Sequence, residues 1–467
     1  MSIPFFSRHA HRSPFDEKLE SYENLAVNLR QTIRSVVEQI IQDLPRVLID
    51  TTSGLLHDKT QQQLTFEESE TYQQLVASMT TRVDQDYIRQ TVADHYEYAM
   101  LSHKWEGSEP LLQTVEKISV YDLPSSLTHD KLQMFCSRVR DARLRWAWSD
   151  TCCIDRKDIA VLQESLVSMF KWYRGSALTI VYLCGAGARS GSLVDSPWNN
   201  RAWTYQEYVA AKVIQFYTED WTPYLSLPLF DEHRRIFNHK TSPEIIHEMS
   251  QAIRNQVGDK EWPELRPGLE HIREKLCLAS TRQSTLVEDA AYSLFGILST
   301  SIPVIYGERE NAIGRFLAQV LMSSRDVSIL AWTGESGMYN SCLPARIVVF
   351  KELANTHVPS LPDDTSMERM VHGLRTWLPL NSNIMAAAMK LYDQLRELPR
   401  PSFTGQCMHL PCIAFRLERV SETPGSSVYQ AAALGNMEIK TKEDLSGTNL
   451  VLVHPWISSL LDRESPA

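Results

Sequence analysis

"ALTIVYLC", Ala177 to Cys184, is the stretch on which the fold turns. Apart from Thr179 every residue in it is apolar, and Gly185 and Gly187 close it. A strand with one face in water alternates apolar with polar residues, whereas a strand covered on both faces reads as an unbroken apolar run. The run therefore predicts a central strand of a parallel sheet. Three other aromatic and aliphatic runs flank it: "YEYAMLSHKW" (Tyr96–Trp105), "RWAWSDTCCI" (Arg145–Ile154) and "KVIQFYT" (Lys212–Thr218). Helical patterns lie between them in "DKLQMFCSRVRDAR", "DIAVLQESLVSMFKWYRG" and "NNRAWTYQEYVAA". Strands alternating with helices of this length imply βαβ units, so residues 96–220 read as an α/β core with flanking helices.

The rest of the chain has a different texture. Residues 1–95 read as a helical N-terminal region: Leu25, Leu29, Ile33, Val36, Val37, Ile40, Ile41 and Leu44 form one apolar stripe that Pro45 ends. "TTSGLLHDKTQQQ" reads as a polar link to a second helical stretch, "TYQQLVASMTTRVDQDYIRQTV". Residues 221–334 read as a helical continuation, with "PEIIHEMSQAIRNQV", "GLEHIREKLCLAS", "VEDAAYSLFGIL" and "ENAIGRFLAQVLMSS". Residues 335–467 read as a smaller mixed or β-rich unit, on short alternating stretches such as "CIAFRLERV" and "TNLVLVHPWI".

Composition removes several functional classes. The chain has 467 residues, more than one average domain, with 43% hydrophobic and 22% charged residues, as in ordinary globular proteins. A net charge of -10 argues against nucleic-acid binding, which needs a basic stripe to release counterions. The cluster "RVRDARLR" is interrupted by an acid and by apolar residues and reads as a helix face. No run reaches the ~18 apolar residues of a membrane helix, and the N-terminus lacks the apolar core of a signal peptide. Eight cysteines, with Cys152 next to Cys153, do not make a secreted disulfide framework. The expectation is a cytoplasmic, reduced protein with no membrane or nucleic-acid partner. Cys407, His409 and Cys412 have irregular spacing and no second pair nearby, so no metal site is expected.

Open parallel sheets take ligands outside the carboxyl ends of their strands. That rule selects Ser102, His103 and Lys104 after the first strand, Ser149, Asp150 and Cys152 after the second, and Gly185 and Gly187 after the third. Each has a structural alternative: Ser102 and His103 as a strand end, Asp150 as a cap or turn residue, the cysteines as small buried hydrophobes. Glu207 is different. In "SPWNNRAWTYQE" it shares a helical face with Trp203 and Ala210, where a carboxylate needs a partner or a function. Arg201 is the partner the local sequence offers.

The blocks "YAMLSHKWEG", "WAWSDTCCIDRKD…E…SMFKWYRGSA" and "SPWNNRAWTYQE" resemble, in order and spacing, the three signature blocks of the fungal heterokaryon incompatibility (HET) domain. "VEDAAYSLFGIL…IPVIYGERENAIGRFL" and "SILAWTG" look like its usual continuation, so the resemblance covers roughly residues 96–334. One departure is "SHKWEG" where the family reads more like "SYVWG"; it puts His103 and Lys104 at the mouth of the site. HET domains are held to be distant relatives of TIR domains, which implies a flavodoxin/TIR-like sheet. Enzymatic TIR domains cleave the nicotinamide–ribose bond of NAD with a glutamate in a W-x-x-x-E helix, and Trp203 and Glu207 match that spacing. The resemblance thus implies Glu207 as catalytic carboxylate, with Ser102, His103, Asp150, Trp203 and Arg201 binding NAD or a related nucleotide as substrate, and no bound cofactor. It implies a role in self/non-self recognition and cell death, with self-association or a protein partner completing the site. Two other readings stand beside it: a non-catalytic HET signalling module, and a HET-like enzyme recruited to small-molecule biosynthesis.

Overall fold

The protein was studied as a computed structural model, which describes residues 14–78, 84–185, 192–258, 266–324, 326–351, 401–405, 407–409, 412–423, 426–431, 438–441 and 451–455. Gly187 lies outside these residues. The chain divides into two compact units, Met1–Asn199 with Ala210–Met249, and Asn200–Val209 with Ser250–Ala467.

The first unit is α/β. Its strands are β1 (Val47–Asp50), β2 (Leu55–Asp58), β3 (Tyr98–His103), β4 (Trp146–Trp148), β5 (Leu178–Leu183) and β6 (Ile214–Thr218), in one sheet of order β2–β1–β4–β3–β5–β6. The decisive apolar run is β5, and all six of its residues are buried. β3 is parallel to both β4 and β5, and β5 to β6, with Met100 opposite both Trp148 and Thr179. The chain leaves β3 for β4 on one side and then crosses to β5 on the other. The loops after β3 and β5 therefore diverge at the carboxyl edge, the geometry that opens a crevice in sheets of this kind.

Residues 47–58 correct the reading of a wholly helical N-terminal region and a wholly parallel sheet. They form a hairpin, with β1 antiparallel to both β2 and β4, so the sheet is mixed. "VLID" and "LLHD" are four residues each, too short for a periodicity, and what holds β1 is distant in sequence. Thr51 donates its N–H to Arg145 O at 2.9 Å, and Arg145 donates to Asp50 Oδ2 at 2.8 Å. Gly54 closes the turn at φ +74°, where a Cβ would collide with Ser119 Oγ.

Helices α1 (Pro14–Asp43), α2 (Lys59–Glu67), α3 (Glu70–Ser78) and α4 (Gln85–His95) precede β3; α5 (Leu112–Val115) and α6 (Leu127–Asp141) join β3 to β4, and α7 (Ile159–Gly175) joins β4 to β5. Tyr173 on α7 donates its hydroxyl to Leu101 O at 2.8 Å and stands edge-on to Trp148, at 6.0 Å between ring centroids. Helix α6 buries Thr128, Lys131, Leu132, Phe135, Cys136 and Val139 at helical spacing. Lys131 is the charged member of that stripe. Its Nζ lies 2.5 Å from Glu109 Oε1 and 3.5 Å from Glu106 Oε2, and the side chains of Lys131 and Glu109 are each 2% exposed. Glu109 Oε1 also accepts the Glu106 N–H at 2.8 Å. One ammonium group thus pins the whole loop after β3.

In the second unit the first helix is α8 (Ala202–Ala210), then α9 (Pro243–Val257, shared at its start with the first unit), α10 (Ile272–Ser280), α11 (Asp289–Tyr292) and α12 (Asn311–Ser324). "VEDAAYSLFGIL" gives only the single helical turn α11, followed by turns to Ser299. Just before it, Glu288 Oε1 accepts the N–H groups of Gly307 at 2.7 Å and Arg309 at 2.9 Å, tying this segment to the "YGER" loop. Further on, β7 (Ser402–Thr404) pairs β8 (Cys407–His409), and β9 (Cys412–Thr423), β10 (Ser426–Ala431), β11 (Glu438–Thr441) and β12 (Val451–Pro455) form an antiparallel sheet of order β11–β10–β9–β12.

The open edge of the first sheet is β6, and an unpaired edge is a template for unwanted strand addition. Here side chains occupy it: Asn238 Oδ1 accepts the Ile214 N–H at 3.0 Å and His239 Nδ1 accepts the Phe216 N–H at 3.1 Å. An imidazole accepts at Nδ1 only when neutral, and burial pushes the His239 pKa down to about 4. A depressed folded-state pKa means stability that is present above about pH 6.5 and is lost as pH falls toward 4. His239 is 2% exposed, so unfolding free energy should drop by about 2 kcal/mol from this group between pH 7 and pH 5. Denaturant titrations of wild type and His239→Gln test this; the variant should show a flatter slope over that window, and equal slopes would refute the assignment. For the loop anchor, Lys131→Met should lower stability by about 3–5 kcal/mol, because two carboxylates lose their counter-charge. Lys131→Met with Glu109→Leu should recover most of that loss in the same titration.

Candidate functional site

The carboxyl ends of β3 and β4 carry a polar cluster in the first unit. His103 ends β3 and is buried; its Nε2 lies 3.1 Å from Asp150 Oδ1, and its Nδ1 lies 4.0 Å from Glu109 Oε1. The other Asp150 oxygen, Oδ2, accepts the Trp105 indole N–H at 2.9 Å and lies 3.6 Å from Arg156. Burial pushes the Asp150 carboxyl up, but the His103 hydrogen bond and charge, with Arg156 and Trp105, outweigh it and hold the group below the usual carboxylate range. A carboxylate with both oxygens engaged is a poor proton acceptor and a good anchor. Ser102 points elsewhere, and its Oγ accepts the Trp198 indole N–H at 2.8 Å. Cys152 and Cys153 are buried, and desolvation pushes the Cys153 thiol up, away from nucleophilic use. Among the described residues no three His, Cys, Asp or Glu side chains are gathered to hold a metal ion.

Arg201, Trp203 and Glu207 belong to the second unit. Gln283 donates its N–H to Asn200 O at 2.6 Å and accepts the Ala202 N–H at 2.8 Å, a short parallel bridge that fixes where α8 begins. Arg282 completes the anchor, donating to Arg201 O at 3.0 Å and Thr204 Oγ1 at 3.3 Å, with its guanidinium 4.9 Å from the Tyr205 ring centroid. Glu207 is buried at 7% exposure, and Trp203, one turn earlier on α8, is half-buried. Arg282 feels the charge of Glu207: burial pushes its pKa down to about 10, while Tyr205 and Glu207 act the other way. Arg201 engages this anchor through its carbonyl oxygen. Gln206 is fully buried, and neither of its amide atoms has a hydrogen bond among the described residues; the Tyr205 hydroxyl, also buried, has none either.

The structure thus joins His103 to Asp150, hands Ser102 to Trp198, and sets Trp203 and Glu207 one turn apart on α8. Sequence reasoning missed Trp105, Glu109, Lys131, Arg156 and Arg282. Lys131 has a signal in the sequence, as a lysine inside the apolar stripe of α6. Arg282 has none, since it meets α8 across 78 to 81 residues of chain.

Residues 98–194, from the start of β3 past the end of β5, match the family model described as Heterokaryon incompatibility protein (HET). Over 240 residues, 48% of this chain, the sequence is 29% identical to Vegetative incompatibility protein HET-E-1 of Podospora anserina. That match takes in only 16% of the relative's own length. No solved structure matches the chain. Among the described residues no helix is long and apolar enough to cross a membrane. Residues 98–194, with the first two signature blocks at the ends of β3 and β4, are thus similar to the heterokaryon incompatibility (HET) domain.

Proposed function

We propose that the protein acts in heterokaryon incompatibility, as the name of its relative suggests, and that it does so by hydrolysing the nicotinamide–ribose bond of NAD. The observation that carries this reading is Glu207, a carboxylate buried on α8 one turn after Trp203. On this reading the parallel strands are a flavodoxin/TIR-like sheet, which the order β4–β3–β5–β6, with the first of these strands in the chain set second, supports. Loss of nicotinamide leaves positive charge on the ribose, and a fixed carboxylate in a dry site stabilises that charge as it develops. Trp203 packs against the nicotinamide, and Arg201 beside it contributes to substrate binding. The polar groups of Tyr205 and Gln206 support the assignment: buried polarity that the fold leaves unused is what a ligand would use.

Glu207→Gln keeps the shape and removes the charge. NAD consumption should fall by roughly two orders of magnitude or more, with about 1–2 kcal/mol of stability lost. Arg282→Met removes two hydrogen bonds and a ring contact that hold α8, so it should lose stability first, by about 2–3 kcal/mol. Turnover and thermal midpoint measured for wild type and both variants separate the readings. A folded Glu207→Gln protein consuming NAD at the wild-type rate would end the catalytic assignment. No consumption by wild type over a wide range of protein concentrations would favour the non-catalytic module.

A further inference from the structure

We propose that Arg156 and Trp105 form a phosphate-binding platform at the carboxyl edge of the first unit's sheet, and that it takes the diphosphate of a nucleotide. The nucleotide part rests on the NAD reading above; the platform stands on its own geometry. The Arg156 guanidinium carbon lies 4.2 Å from the Trp105 ring centroid, stacked on the indole. Asp150 fixes both partners through one oxygen, which accepts the Trp105 N–H at 2.9 Å and lies 3.6 Å from Arg156. Its other oxygen is held by buried His103. The loop that carries Trp105 is in turn pinned by Lys131 through Glu106 and Glu109.

This support ends in an accessible cation. The Arg156 side chain is 42% exposed. At 3.6 Å the Asp150 contact is longer than a hydrogen bond, and among the described residues Arg156 makes none, so its N–H donors are held in place yet unconsumed. A surface arginine ordinarily loses rotamer freedom when it binds an anion; here stacking and charge have already removed that freedom. A planar guanidinium presents paired N–H groups that match two oxygens of a phosphate, which a lysine cannot do. The location agrees, since Trp105 follows β3 and Arg156 follows β4, where open sheets take their ligands. Asp150, half-buried itself, is held on one oxygen by buried His103, so the support beneath Arg156 is fixed before any ligand arrives.

The test is calorimetric titration of the full-length protein with ADP-ribose, adenosine and inorganic pyrophosphate, for wild type, Arg156→Met and Arg156→Lys. Wild type should bind ADP-ribose. Arg156→Met should weaken that binding at least tenfold, Arg156→Lys by several-fold, and both should leave the thermal midpoint and the weak adenosine binding unchanged. Wild type that fails to bind ADP-ribose, or Arg156→Met that binds it as wild type does, overturns the platform. An equal loss of adenosine binding also overturns it, because adenosine carries no phosphate. Pyrophosphate binding as tight as that of ADP-ribose overturns the nucleotide assignment. The two proposals fail separately: ADP-ribose binding by wild type without NAD consumption defeats the reaction alone, and an Arg156→Met protein that binds ADP-ribose as wild type does defeats the platform alone.

Discussion

Strand β5 has no polar face to offer water, and the first unit is arranged around that fact. All six of its residues are buried, and its neighbours β3 and β6 run parallel to it. Parallel neighbours need crossover connections, and the crossovers supply the helices that cover such strands. Helix α7 does so between β4 and β5, with Tyr173 bonded to Leu101 O. The same handed path sends every loop after β3, β4 and β5 to one edge. The polar cluster is gathered there because the apolar strand is covered elsewhere.

That cluster is held from beneath by charge taken out of water. Lys131 and Glu109 are both 2% exposed in their side chains, and a buried ion pair is seldom a net gain over apolar packing. What it supplies is position. The ammonium group draws Glu106 and Glu109 toward α6, the loop follows, and Trp105 is delivered to Asp150. In the second unit Arg282 plays a comparable part, fixing the first turn of α8 through Arg201 O and Thr204. The loop of Trp105 and the start of α8 therefore each depend on a cation distant in sequence.

How much of this was legible in the sequence follows from the range of the forces involved. β3, β5 and β6, and the helices α6 and α7, declare themselves by runs and periodicities within their own residues. The hairpin β1–β2 does not, because its four-residue strands take their structure from Arg145 and β4, about 95 residues further on. The juxtaposition of His103 with Asp150 was reachable from the rule that strand ends converge. Trp105 and Arg156 were not, since an indole and a guanidinium in surface loops look alike whether or not they stack. Arg201 is the cation near Glu207 along the chain; that Arg282 also feels Glu207 was not legible, because the bridge between residues 200–202 and Gln283 joins parts of the chain distant in sequence.

The matched span and the folding unit do not coincide. Residues 98–194 contain β3, β4 and β5. In the structure β4 pairs with β1 at Ile49–Ala147 and Asp50–Trp146, and β5 pairs with β6 along five positions. Cut out at its matched ends, the segment would bare one flank of β4 and one of β5, each a row of buried backbone groups with nothing to bond. The family signature is thus an inner slice and not a portable module. When such a slice is moved between proteins, the outer strands have to travel with it or be replaced by others already waiting at the destination.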